Sequence, residues 1–235
     1  PNLAELTSNG QHELRYEIGN NNLVPENAYE ADLSLHYHKE NYTFDIAGFY
    51  NIVNSYIFIS PTGETTVSGI DIFRYKQANS ALYGGETGLH IHPKPIKWLH
   101  FKTTFSSVTG KQENGDYLPF VPAHKLRFEL QTEKEKLLFL HNVFISLNTS
   151  TAFNQNNAAP DEPPTKGYTL WDLSIGGNIK MKNQSVSLSL SVNNLLDTKY
   201  IDHLSTLKEV NMYNPGRNIS LSLRIPFGLT VVNKN

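Results

Sequence analysis

Between Val186 and Val192, apolar residues hold every second position (Val186, Leu188, Leu190, Val192) and serines fill the rest (Ser187, Ser189, Ser191). The same period returns from Ile219 to Phe227, where Ile219, Leu221, Leu223, Ile225 and Phe227 are set against Ser220, Ser222 and Arg224. Successive side chains of a strand point to opposite faces, so each stretch is a strand with one apolar and one polar face. Two architectures use such strands: a sandwich whose apolar faces pack together, and a transmembrane barrel whose apolar face meets lipid.

The pattern repeats along the chain. Tyr29, Ala31, Leu33, Leu35 and Tyr37 alternate with Glu30, Asp32, Ser34 and His36, and Tyr42, Phe44, Ile46, Tyr50 and Ile52 continue after a turn at Lys39–Asn41. A long extended segment is expected from about Ile70 to Ile91, then strands over Lys97–Ser107, around Leu126–Gln131, over Leu137–Leu147 and around Trp171–Ile179. Residues 1–25 carry no periodic run and read as loop. Short turns are expected near 39–41, 93–95, 133–136 and 180–183, and long connections near 1–25, 57–69, 109–122, 148–166 and 196–216. Short turns on one rim and long loops on the other mark an antiparallel up-and-down meander of the outer-membrane barrel type. A Greek-key sandwich would not sort its loops this way. About nine strands are counted, too few to close a large barrel, and the two open edges call for further strands. The fold class read here is therefore all-β, the C-terminal portion of a large transmembrane β-barrel.

Composition excludes several alternatives. No apolar run is long enough for a transmembrane helix, and a mean hydropathy of −0.39 is compatible with barrel strands, in which only every second residue is apolar. A formal charge of −2 argues against a nucleic-acid partner. With no cysteine among the 235 residues, disulfides and thiolate metal sites are excluded. No Gly-x-Ser-x-Gly elbow, phosphate-binding loop or His-Glu-x-x-His motif is present, so no enzyme is expected.

The loop residues around the last two strands, Asn194-Leu195-Leu196-Asp197-Thr198-Lys199-Tyr200 and Pro215-Gly216-Arg217, with Phe227 as the closing aromatic, resemble those of TonB-dependent outer-membrane receptors. Pro1-Asn2-Leu3-Ala4-Glu5-Leu6, Ile18-Gly19-Asn20 through Leu23-Val24-Pro25-Glu26, Gly84-Gly85-Glu86 and Leu118-Pro119 with Val121-Pro122-Ala123 fit the family in the same order. The resemblance implies a barrel of roughly 22 strands with a plugged lumen, in the bacterial outer membrane. It would take up a scarce metal-linked nutrient (siderophore, haem or metal ion) with force transmitted by TonB. Residues 1–227 would be the C-terminal part of that barrel, without the plug that contacts TonB, and 228–235 a C-terminal tail beyond the usual terminal aromatic. The expected partners are outer-membrane lipid, the TonB system and a metal chelate. The metal would be cargo, and no cofactor is expected. A secreted or surface β-sandwich binding module for carbohydrate or adhesion is the alternative, and a porin independent of TonB a weaker one.

Candidate functional residues follow from these placements. His12, Tyr16 and Glu17, with Asp202 and His203, fall in long loops where a substrate would first meet the receptor. His36 and His38, and His90 and His92, are i, i+2 pairs on one strand face, a spacing able to chelate a divalent ion; wet lumenal or rim histidines are the plainer reading. Tyr29, Tyr37, Tyr42, Phe44, Trp171 and Phe227 are candidates for lipid-facing or girdle positions. Asn194, Leu195, Asp197, Tyr200, Pro215, Gly216, Arg217 and Phe227 carry the family signature, in which Asp197 would organise a turn. Asp161-Glu162, in a proline-rich loop, reads as a solvated charge pair.

Overall fold

The computed structural model describes residues 1–181 and 184–227; the proposed tail, 228–235, lies outside them. A short helix, α1 (Leu3–Thr7), precedes eleven strands: β1 (Asn9–His12), β2 (Arg15–Ile18), β3 (Asn27–Lys39), β4 (Tyr42–Thr65), β5 (Asp71–Ile91), β6 (Leu99–Gln112), β7 (Lys125–Leu137), β8 (Leu140–Ala152), β9 (Tyr168–Met181), β10 (Gln184–Asn193) and β11 (Asn218–Arg224). From β3 to β11 each strand pairs antiparallel with the next, giving a nine-strand meander. It is the expected all-β meander, and its sheet is open, with β3 and β11 at the edges.

The register turns the alternation of single strands into continuous bands. Tyr42, Ile91, Phe101, Leu130, Leu147, Leu173, Val192 and Ile219 are paired in sequence across eight strands. One residue along, on the opposite face, runs His38–Thr43–His90–Lys102–Glu129–Asn148–Asp172. A slip of one residue at any strand would put apolar side chains into the polar band, so each pairing supports the rest. Tyr29, Tyr37, Tyr42, Phe44 and Trp171 all share the apolar face by this register, while Phe227 lies beyond β11. The connection after β10 folds over the polar face, where Asp202 meets Lys125 and Tyr168. The polar face is thus the lumenal one.

Four local expectations are corrected. Residues 1–25 are not all loop: Asn2 caps α1 through Glu5 N, and the Glu5 carboxylate accepts from Asn2 N, a capping box. β1 and β2 form a hairpin behind it, too short at four residues each for periodicity to register. The connection expected at 57–69 is mostly strand, because β4 runs to Thr65. Pro61 is tolerated there because β3 has already ended, leaving β4 one open edge toward which a missing N–H can point. Glu133–Lys136 belongs to β7, with Lys134 opposite Val143 and Lys136 opposite His141, and the turn falls at Leu138 and Phe139. The last strand ends at Arg224 rather than Phe227.

β4 and β5, at 24 and 21 residues, are far longer than the ~9–11 residues a barrel strand needs to cross a membrane. A bulge between Val53 and Tyr56 marks where the hairpin leaves the wall; there Ser55 adopts φ 59° and its N–H is held by the Asn79 side chain. Beyond it β6 no longer covers β5, and β2 does so instead, in parallel, pairing Tyr16, Glu17 and Ile18 with Ile72, Phe73 and Arg74.

Candidate ligand-binding site at the long-loop rim

The two halves of the family signature interlock at the base of the 194–217 loop. Asn194 (φ 51°) is buried; its side chain accepts from Thr198 N at 2.8 Å and donates to Thr198 O at 2.9 Å. Asp172 accepts from Asn194 N at 2.7 Å, tying the turn to β9. Asp197 accepts from Arg217 N at 2.9 Å, joining the loop's start to the launch of β11. A Cβ on Gly216 would come within 2.6 Å of that carboxylate, so the small residue lets the two strands of the loop close. Leu195 N donates to Trp171 O, and Tyr200 packs against Tyr168 with ring centres 4.5 Å apart and planes tilted by 40°.

Above this base, three loops meet on one buried carboxylate. The Glu162 side chain is 1 % exposed, with Lys208 Nζ 2.8 Å from its Oε1. His203 Nε2 lies 3.0 Å from the same oxygen, off the line of a good hydrogen bond. Phe120 N and Ala159 N donate to the carboxylate, and His203 Nδ1 is 3.1 Å from Thr165 Oγ1. Burial alone would push the Glu162 carboxyl up, but the contacts from His203 and Lys208, the Lys208 charge and the Ala159 N–H outweigh it and hold it at about 2. Asp161-Glu162 is therefore not a solvated pair: Asp161 is exposed, but Glu162 is the anchor of the rim.

The network extends to the N-terminal hairpin through aromatic faces. Lys208 Nζ sits 5.4 Å from the centre of the Phe120 ring, and the Arg15 guanidinium lies over both Phe120 and Phe73, 6.0 and 5.3 Å from their centres. Arg15 Nε pairs with Glu17 at 2.7 Å, and Tyr75 donates to Glu17 at 3.2 Å. Glu17 and His203, both read as loop contacts for a substrate, sit at opposite ends of this interior. His12 is exposed at the end of β1, Tyr16 donates to Asn9, and Asp202 is engaged by Tyr168 at 2.6 Å and Lys125 at 3.3 Å. Burial acts to raise the Asp202 carboxyl, but Tyr168, the Leu204 N–H and Lys125 together hold it below its usual range. The structure thus brings Glu17 and His203 into one network and leaves His12 apart. Glu162, Lys208, Arg15 and Phe120 escaped sequence reasoning because partners separated by dozens of residues in irregular loops leave no periodic signal.

Beside the network, a cavity of about 440 Å³ is lined by Lys166, Lys199, Lys208, Tyr168, Tyr200 and Tyr213, with no carboxylate among its lining residues. Lys199 Nζ lies 5.9 Å from the centre of the Tyr213 ring. A larger groove, about 780 Å³, runs past Leu33, Ile46, Gly48, Tyr50 and Phe105, but it is a dent in the apolar outer wall. Of the histidine pairs, His36 contacts Asp45 and His38 contacts Thr43, whereas His90 and His92 turn toward each other.

The comparisons with known proteins agree with this architecture. A sequence model described as TonB dependent receptor-like, beta-barrel matches residues 1–195. Among solved structures, the chain resembles the copper transporter OprC (TM-score 0.77, 19 % identity, 97 % of this chain and 35 % of that one). It also resembles the siderophore receptor PirA from Acinetobacter baumannii (TM-score 0.61, 16 % identity, 89 % and 33 %). The FrpB iron transporter from Neisseria meningitidis is similar too (TM-score 0.63, 14 % identity, 88 % and 31 %). The chain spans about a third of the length of each of these structures. The family match over residues 1–195 shows that the chain belongs to the TonB-dependent receptor-like β-barrels of the bacterial outer membrane.

Proposed function

We propose that this chain forms the C-terminal wall of a receptor that imports an anionic metal chelate. The carrying observation is the cavity at the long-loop rim, whose lining holds Lys166 and Lys199 beside Tyr168, Tyr200 and Tyr213 and no carboxylate; the third lining lysine, Lys208, is already paired with Glu162. Ammonium groups attract an anion, and tyrosine faces and hydroxyls suit a planar, oxygen-rich chelator. The long loops face the medium, the apolar bands contact outer-membrane lipid, and coupling to TonB runs through a plug outside this chain. That the similar structures include a copper transporter, a siderophore receptor and an iron transporter supports a metal-linked cargo. The metal is cargo here, and no cofactor takes part.

Binding of ferric citrate and of ferric catecholate and hydroxamate chelates to the intact receptor in detergent tests this reading. One anionic chelate is expected to bind with submillimolar affinity, and Lys166→Ala with Lys199→Ala should weaken it about tenfold, consistent with two lost charge-assisted contacts. Equal affinity for a neutral chelate, or no effect of the lysine changes, would count against it.

A further inference from the structure

Three histidines meet on the lumenal wall at the opposite, short-turn rim. His90 and His92 leave the same face of β5. His92 stands one step past the last pair of that ladder, Ile91–Phe101, which sets it across from His100 at the start of β6. The ring centres form a near-equilateral triangle: His90–His92 5.4 Å, His90–His100 5.7 Å and His92–His100 5.9 Å. His90 Nε2 and His100 Nδ1 are 3.4 Å apart, long for a hydrogen bond. It matches the separation of about 3.3 Å that two nitrogens take when each binds a tetrahedral metal at about 2.0–2.1 Å.

Two further observations point the same way. His92 Nδ1 is shut off from solvent without a hydrogen-bond partner, a state that costs free energy unless something occupies the nitrogen. His100 Nε2 lies 4.0 Å from Glu133 Oε2, too far for a hydrogen bond as placed but on the side from which a carboxylate orients a ligating imidazole. Lys102, which faces His90 across the β5–β6 pair, is itself paired with Glu129 at 3.2 Å, so its charge is partly compensated.

We infer that His90, His92 and His100 form a binding site for a borderline divalent cation such as Cu²⁺ or Zn²⁺, with Glu133 positioning His100. Imidazole donors without thiolates select these ions over Mg²⁺ or Ca²⁺. As placed, no three metal-ligating side chains among the described residues are arranged to hold an ion, so binding requires the three rings to rearrange. The backbone of His92 is tied to the opposite turn by one bond, from its N–H to Asn41 O. The site's position on the lumen wall, far from the loops that meet the cargo first, suits a point of transient capture for a bare ion near the inner end of the path. The site stands or falls independently of the anionic-chelate reading.

The test is Cu²⁺ alone, titrated into the intact receptor in detergent and read by calorimetry and electron paramagnetic resonance. The parent protein should bind one more Cu²⁺ ion than the His90→Ala/His100→Ala variant, with coupling to three nitrogens. Each single substitution should weaken this ion at least tenfold, and Glu133→Gln about 10–100-fold. His36→Ala/His38→Ala should leave it unchanged. Unaltered stoichiometry and spectrum in the His90/His100 double variant would overturn the site. Heat-modifiable gel mobility checks folding, and His90→Gln with His100→Gln, closer in size, serves if the alanine variant fails it.

Discussion

Replacing Glu162 by glutamine is expected to release the long-loop rim while leaving the barrel wall folded. Lys208 would keep its charge in a site where its side chain is 3 % exposed, now without a counter-charge. Removing one partner of a buried pair costs about 3–5 kcal/mol, and the cost falls on the loops at 113–124, 153–167 and 194–217. Limited proteolysis should cut these loops at least tenfold faster in the variant, with heat-modifiable mobility retained. The pH dependence has a definite sign. A carboxyl held at about 2 against an ordinary 4.5 stabilises the folded loops fully above pH 4.5, and the contribution is lost as pH falls toward 2. That gap corresponds to about 3 kcal/mol. Acid should therefore speed cleavage in the parent protein over this window, and the glutamine variant should lack that component. Equal cleavage rates for parent and variant at neutral pH would show that the carboxylate does not hold the loops.

The second large effect concerns the wall. Leu190 lies near the middle of β10, paired with Ile175 on one side and Leu221 on the other. Leu190→Arg should cost about 2–4 kcal/mol, the range for a cation on the lipid face near the bilayer midplane. Ser189→Arg, one residue away, should cost under about 1 kcal/mol, because its head group reaches the lumen. Reversible denaturation of the intact receptor in lipid vesicles measures both. A soluble sandwich would also punish Leu190→Arg, but it would give no dependence on bilayer thickness. In the barrel, the penalty changes when the same variant is folded into thinner bilayers.

What sequence revealed and what it hid divide along a physical line. The serine–leucine alternation of β10 and β11 was visible because a strand's period is local, and the sorting of connections by length was visible because a meander is local too. Asp197, expected to organise a local turn, instead reaches the N–H of Arg217 and joins the two ends of its loop. Local charge misled at Glu133–Lys136, where a run that reads as a turn is held in β7 by pairing with β8. Proline misled at Pro61, since only the absence of a neighbouring strand makes that position safe. The helix that Asn2 and Glu5 cap is only five residues long, too short to leave a periodic run. The rim network could not be read at all, since Glu162, Lys208 and Phe120 meet through irregular loops whose contacts have no period. His100, the third member of the lumenal triad, emerges only when register sets β6 against β5.

In a barrel wall, one face of this sheet meets lipid and the other meets the lumen. The chain has no cysteine, so single cysteines at 187 to 192 in β10 and 219 to 223 in β11 can each carry a nitroxide label in this region. Collision with oxygen reports lipid, and collision with a water-soluble nickel chelate reports the lumen. The expected result is a two-residue oscillation, with oxygen favoured at 188, 190, 192, 219, 221 and 223 and nickel favoured between them. Low accessibility to both probes at the leucine positions would mean a dry core between two sheets, and would contradict the barrel.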